Sequence, residues 1–367
     1  MLRLISSDLI VQEIFEPASK NMLQRSVAQG KPAGRVFFEY ASFCTTQLED
    51  QYVLADIKRM ETLHRSKQEE VHRYTEAIQA AKAQSDQTTY KKLCKEHDRA
   101  CKLQRMDKDE LQRLHNSQRF FVRKAMEQYL RCFTACSDFD HYIPKFCAIW
   151  LKHSRQPGVN SIVSGLLGVV PSYKFVPLLH QLCSRLSDEG NDDFQSCLGE
   201  LLSRILNDHP YHAFHQIYST FTAGEKTATS RSKVARRIAE RMDRTKGNSS
   251  VSPQELSVRL ADLFSSYSEL AKLPISKNTH QGNDISLSSY PGLRKFRSKA
   301  LADMRLPPPS LEIPISPTND YATVPFVQKY HQSFKIAGGV NQPKILDSVL
   351  STGKSFRELV KSMPNLG

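Results

Sequence analysis

The sequence predicts a mainly α fold, an α-solenoid of helical hairpins that gives way near its end to a short, incomplete β-rich segment. Three features predict it. Two long, highly charged stretches carry a narrow apolar stripe with one polar break between them, shorter and more apolar helical stretches follow, and beyond Leu306 the apolar period switches from helical to alternating.

The first stretch runs from Leu48 to about Ala83, with Val53, Ile57, Met60, His64, Lys67, Val71, Tyr74, Ile78 and Ala81 recurring at a period near 3.5 among charged neighbours. After "AQSDQTT", a second run from Tyr90 to about Ala135 points back along the first. Together they predict an antiparallel helical hairpin over about 48–136, each arm on the order of 50 to 70 Å long at 1.5 Å per residue. Residues 137–222 read as shorter helices separated by Pro157, Gly158, Pro171 and Gly190, and "SPQELSVRLADLFSSYSELAKL" adds one more. Helical sequence thus extends over 1–273. The Pro-, Ser- and Asn-rich stretch 274–306 reads as a linker. From 307, "SLEIPIS", "TVPFVQKY", "SFKIAGG", "PKILDSVLS" and "SFRELVK" alternate as five short strands, with "STGK" as the tight turn between the last two.

Lys and Arg number 51 against 38 Asp and Glu, a net charge of +13 that suits an acidic partner or equally a set of solvated basic helix faces. No apolar run approaches the roughly 20 residues a bilayer span needs, so a soluble, intracellular protein without membrane contact is expected. The eight cysteines form no CxxC pair and read as buried reduced thiols. Cys132, Cys136 and His141 supply too few converging ligands for zinc, and His209, His212 and His215 in "HPYHAFH" lack an acidic or cysteine companion, so no metal is assigned. Pro210 after Asn207 and Asp208 marks a helix start. The stretch Lys226–Ser250 holds eight basic side chains. It reads either as a nuclear-targeting or nucleic-acid patch or as a solvated face with Val234, Ile238 and Met242 inward; the lack of an interleaved aromatic favours the second.

The strands carry the candidate chemistry. Gly338 and Gly339 lie between two of them, where missing side chains let backbone N–H groups approach phosphate oxygens. On an extended strand Arg357, Leu359 and Lys361 share a face, so that Leu359 roofs an adenine while Lys361 reaches phosphates.

"PSYKFVPLLHQLCSRLS", "FQSCLGELLSRILNDHPYHAFHQIYS", "LPPPSLEI" and "FKIAGGVNQPKILDSVLSTGKSFRELVK", in this order, resemble the phosphatidylinositol 3-kinase-related protein kinases, and the "AGGVNQPK" block points to their ATM-like branch. The resemblance covers most of the chain from the hairpin to Lys361 and little of the first forty residues. It implies a nuclear serine/threonine kinase, ATP- and magnesium-dependent, that answers DNA double-strand breaks by phosphorylating Ser-Gln and Thr-Gln sites. It also implies a homodimer whose partners are the rest of the kinase domain, protein substrates and DNA-break sensor proteins; whether nucleic acid is touched directly is left open. By this resemblance 1–273 is the end of a FAT-type helical region and 307–361 part of a kinase N-lobe. Gly338, Gly339 and Val340 fall in the glycine-rich loop, Pro343 on the following strand, and Leu359 and Lys361 beside ATP. After Lys361 the family continues with a Gly-Arg-Asp-Asp-Leu-Arg-Gln-Asp type segment, whereas 362–367 read "SMPNLG". The chain is therefore expected to be a piece of such a kinase, from an alternative transcript or a truncated gene model, without catalytic or magnesium-binding segments. Alone it is expected to be inactive, to bind ATP poorly and to leave its sheet face uncovered and ill-ordered. The alternative is a non-catalytic helical scaffold that binds proteins.

Overall fold

A computed structural model describes the chain except for residues 1–6, 8, 25–29, 188–191, 223–232, 234–236, 239–252, 275–283, 298, 299, 338–341 and 363–367. It divides into two compact units, Met1–Pro171 and Ser172–Gly367. Compactness thus cuts the chain at 171, whereas the family-based reading drew its boundary at 273. In the second unit the helices between 253 and 303 pack on the strands.

In the first unit a π-helical turn, Val11–Phe15, leads into α1 (Glu16–Gln24) and α2 (Lys31–Glu49). The expected hairpin follows as α3 (Gln51–Ala83) and α4 (Gln87–Ala135). Both arms have built-in starts. Asp50 Oδ1 accepts from the Tyr52 amide at 2.8 Å, and Asp86 Oδ1 accepts from the Thr88 and Thr89 amides at 3.2 and 3.1 Å. Those hydrogen bonds, with Thr89 foremost, pull the Asp86 carboxyl down to about 2. The polar break falls between the arms, where Ser85 takes a positive φ of 56°.

The arms are not alike along their length. Toward the tip, full burial among the described residues is confined to the seam at Ala81 and Ala100, as expected where two charged helices have only each other. Toward the base, α4 packs on α2 and on α6 (Val159–Leu167), and Phe121, Val122, Ala125, Met126, Tyr129, Leu130 and Phe133 become fully buried against Phe37, Tyr40 and Cys44. The aromatic series continues through Phe146 and Trp150 of α5 (Ile143–His153). Trp150 Nε1 donates to Asn160 Oδ1 at 3.0 Å, which gives this large buried ring a polar partner across helices.

The second unit begins with a 3-10 stretch, Ser172–Leu178, and α7 (Leu179–Cys183), α8 (Asp192–Asp208), α9 (Pro210–Thr222) and α10 (Pro253–Lys272). Two short helices, α11 (Arg294–Arg297) and α12 (Ala300–Asp303), precede the main strands. The sheet is antiparallel in the order β1 (Ile285–Ser286), β2 (Val327–Ile336), β3 (Lys344–Leu350), β4 (Ser355–Val360). Gly353 supplies the positive φ of 79° for the β3–β4 turn, closed by Gly353 N–H to Leu350 O at 2.8 Å.

Several sequence expectations shift here. Among the described residues the sheet has four strands instead of five: "TVPFVQKY" and "SFKIAGG" join as β2, and "SLEIPIS" forms no strand, its Pro314 lacking the N–H a ladder needs and Pro307, Pro308 and Pro309 standing just before it. The stretch read as a linker contributes β1 and buries Leu287, Leu293, Phe296 and Leu301. The sheet face expected to be bare is covered by α10 and α11, with Tyr267, Phe296 and Tyr330 packed edge to face at 5.1 to 6.5 Å. Five cysteines are buried and Cys94, Cys101 and Cys136 half-buried, all eight as thiols outside any disulfide. Burial pushes the Cys147 and Cys183 thiols up to about 12. Among the described residues no helix is long and apolar enough to cross a membrane.

Gly34 is set by close approach. A Cβ built there meets Cys136 Sγ at 2.2 Å and Cys136 Cβ at 3.2 Å. In a helix interior Gly→Ala ordinarily stabilises by about 1 kcal/mol, so the sign is diagnostic. Gly34→Ala is expected to destabilise by about 1 to 3 kcal/mol in urea unfolding, and Cys136→Ala to recover a large part of that loss in the double variant. Simple additivity of the two changes would contradict this packing account.

Candidate functional site

The strand register brings the sequence-predicted residues to one end of the sheet. Lys344 pairs with Val360 and Ile345 with Leu359, and the Ala337 amide donates to Pro343 O at 2.8 Å. Lys361, one residue past β4, therefore follows Val360 at the end where Pro343 enters β3 and where the 338–341 connection begins and ends. Gly338, Gly339 and Val340 lie outside the described residues. Leu359 and Lys361 are both exposed, Leu359 at 58%.

Alternation splits the strands into two chemically distinct faces. The outer face carries Ile345, Leu359 and a bidentate ion pair in which Arg357 Nε and Nη2 donate to Asp347 Oδ1 and Oδ2 at 2.7 and 3.1 Å. The Arg357 guanidinium holds the Asp347 carboxyl below the usual carboxylate range. The inner face carries Phe334, Leu346 and Leu350, and with them Glu358, only 4% exposed. A buried carboxylate must be satisfied. Tyr267 Oη of α10 donates to Glu358 Oε2, and the Ser310 amide and Oγ donate to Oε1 at 3.2 and 2.8 Å. Burial, with Tyr330 and Glu358 adding to it, pushes the Tyr267 hydroxyl well above its ordinary range, so it stays protonated as the donor. A second tie comes from the neighbouring inward position: Lys344 Nζ donates to Ala271 O at 2.9 Å, satisfying a last-turn carbonyl of α10. Burial lowers the Lys344 ammonium.

Sequence reasoning missed Glu358, Tyr267, Ser310 and Lys344. The signal was available in part: Phe356, Glu358 and Val360 share one strand parity, and an acid on an apolar parity asks for a partner.

The histidine triplet resolves into a structural network. Ser172 Oγ donates to Asp208 Oδ2 at 2.6 Å and lies 3.0 Å from His209 Nε2, and His209 Nδ1 lies 2.7 Å from Tyr321 Oη. His212 Nε2 bonds Ile313 O at 2.9 Å. These contacts bind the proline-rich stretch to α9. His209 is fully buried, and Asp208 bonds the serine instead of the imidazole, so the trio lacks both the access and the order of a nucleophilic triad. Among the described residues no three His, Cys, Asp or Glu gather as a metal site. Of the basic stretch, Ile238 is buried while Lys233 and Arg237 are exposed; Val234 and Met242 lie outside the described residues.

The burial of His209 gives a pH test. Desolvation lowers its pKa to about 4, against the opposing charge of Asp208 and aided by His212. The unfolded imidazole takes its proton near 6.5 and the folded one does not, so stability is fully present above that value and declines as pH falls toward 4. Between about pH 6.5 and 5 the chain is expected to lose about 2 kcal/mol more than the His209→Gln variant. Equal losses would contradict a neutral buried imidazole.

Comparison with known proteins follows the same lines. No family model matches the chain. Over 363 residues it is 33% identical to the serine/threonine-protein kinase tel1 of Emericella nidulans, covering 98% of this chain and 12% of that one. It is 30% identical over 280 residues to the serine-protein kinase ATM of Sus scrofa, covering 71% and 9% respectively. Its structure superposes on the FAT and kinase domain of CtTel1 with a TM-score of 0.81 at 30% identity, covering 98% of this chain and 23% of that one. It superposes equally, at 0.81 and 30%, on the complete CtTel1 dimer with C2 symmetry, covering 98% and 12%. The chain thus spans about an eighth of the length of the tel1 relative. The match reaches into the first forty residues, where the sequence alone showed little. Along almost its whole length the chain is homologous to a segment of the Tel1/ATM serine/threonine kinases.

Proposed function

We propose that this chain serves as the FAT scaffold and the phosphate-holding part of the N-lobe of a Tel1/ATM-type serine/threonine kinase. In this reading the parent enzyme works in the nucleus, signals DNA double-strand breaks and phosphorylates Ser-Gln and Thr-Gln sites. It assembles as a homodimer, as the solved CtTel1 dimer does. The observation that carries the reading is the coincidence of the homologous segment with the sheet end that gathers Pro343, Leu359 and Lys361.

In the proposed site the backbone N–H groups around Gly338, Gly339 and Val340 approach the phosphates of ATP, Lys361 places its ammonium beside them, and Leu359 offers an apolar contact to the adenine. Pro343 fixes the return of the chain into β3. ATP supplies the transferable phosphoryl group. Magnesium, which the family resemblance implies beside ATP, is assigned no ligand within this chain.

Two measurements test the reading together. The chain by itself is expected to transfer no phosphate to a Ser-Gln peptide and to bind Mg-ATP no tighter than the millimolar range in isothermal titration. In a complete Tel1/ATM-type kinase carrying this segment, Lys361→Ala is expected to lower peptide phosphorylation on the order of 100-fold, with Lys354→Ala, in the β3–β4 turn, leaving it nearly unchanged. Undiminished activity of the Lys361→Ala enzyme would overturn the assignment.

A further inference from the structure

We propose that the outward face of α4 between Lys91 and Arg105 binds the phosphate backbone of double-stranded DNA. The seam of the hairpin uses Leu93, His97, Ala100, Cys101 and Gln104 of α4, all buried or half-buried. Directly opposite, Lys91, Lys92, Lys95, Arg99, Lys102 and Arg105 are all exposed. At 3.6 residues per turn they fall within an arc of about 140° and extend over about 21 Å of helix. One acid shares the arc, Asp98, whose carboxylate lies 3.8 Å from His97 Nδ1.

Two observations separate this face from an ordinary solvated one. Elsewhere on the hairpin, cations pair with acids one turn away: Arg59 with Asp56 at 3.4 Å, Lys67 with Glu70 at 2.6 Å, Arg113 with Glu110 at 2.8 Å. Among the described residues none of the six cations makes an ion pair or a side-chain hydrogen bond. Lys91, Lys95 and Arg99 moreover stand at i, i+4 spacing, where like charges destabilise a helix by about 0.2 to 0.5 kcal/mol per pair. A bound polyanion relieves that repulsion.

The chemistry of the face selects the partner. Lysine is depleted from the cores of protein–protein interfaces, and the middle of this face, Lys95 to Lys102, offers no exposed apolar anchor. Leu103 and Met106 are exposed only at its far end. No aromatic ring interleaves the cations, so bases are not stacked upon and the contact is electrostatic and indifferent to sequence. Duplex DNA presents one charge per about 1.7 Å of axis, and its major groove admits a helix, whereas the narrow major groove of A-form RNA does not.

The test is fluorescence anisotropy of the full chain with a labelled duplex of about 25 base pairs, over a range of salt. Lys95→Glu, Arg99→Glu and Lys102→Glu together are expected to weaken binding at least about tenfold near 0.1 M salt. The corresponding alanine variant is expected to flatten the dependence of log affinity on log salt by roughly two to three. A charge-matched control, Lys58→Glu, Arg65→Glu and Arg73→Glu on α3, is expected to have a much smaller effect. The proposal is overturned if the chain does not bind duplex DNA, or if the two glutamate sets act alike. It is also overturned if the alanine variant keeps the wild-type salt slope, or if poly-glutamate or duplex RNA binds through this face as tightly as DNA.

Discussion

The second unit depends on one buried carboxylate. Glu358 sits on the inner face of β4 at 4% exposure, and an unpartnered carboxylate there would cost several kcal/mol. Its oxygens are satisfied by Tyr267 of α10 and by the amide and hydroxyl of Ser310. Three segments distant in sequence are therefore required at one point: a helix, the proline-rich stretch and the last strand. Lys344 repeats the logic on the adjacent strand by donating to the end of the same helix. The strands are fixed to α10 by polar contacts whose absence would leave buried groups unpaired, and apolar packing of Phe296, Tyr330 and Phe334 fills in around them.

This arrangement frees the opposite face for chemistry. With the inner face engaged by α10 and α11, the outer face keeps Leu359 exposed and Asp347 locked to Arg357, and the sheet end presents Lys361 beside Pro343. In the proposed role Lys361 meets a phosphate, which asks for a strand that does not shift, and the tie is made by Glu358, three residues earlier. The His209 network plays a parallel part for the proline-rich stretch, holding Ile313 and Tyr321 to α9 where prolines deny the backbone a ladder.

How much was legible follows from the range of each signal. The hairpin was readable because its stripe is local and repeated, and Asp50 and Asp86 mark where its arms begin. The turn at Gly353 was readable for the same reason. The strand status of "SLEIPIS" was misread because alternation there is real, but prolines remove the donors that would make it a strand. The linker reading of 274–306 failed because composition reports polarity on average, while Leu287, Leu293, Phe296 and Leu301 bury themselves against elements far away in sequence. In the candidate site, resemblance singled out Pro343, Leu359 and Lys361, strand parity put Leu359 and Lys361 on one face, and the register brings β3 and β4 together at that end of the sheet. Their support was not legible, since the partners of Glu358 lie 91 and 48 residues away.

Amide hydrogen exchange tests the central claim most directly. Tyr267→Phe removes only the hydroxyl that donates to Glu358 and keeps the ring packed on Phe296 and Tyr330. The account predicts that β3 and β4 amides, such as those of Leu346, Arg357 and Leu359, exchange at least about tenfold faster in this variant, because an unsatisfied buried carboxylate costs about 1 to 3 kcal/mol. Amides of the α3–α4 hairpin are expected to keep their wild-type protection. Unchanged exchange in β3 and β4 would show that the sheet is held by apolar packing alone and would contradict the account.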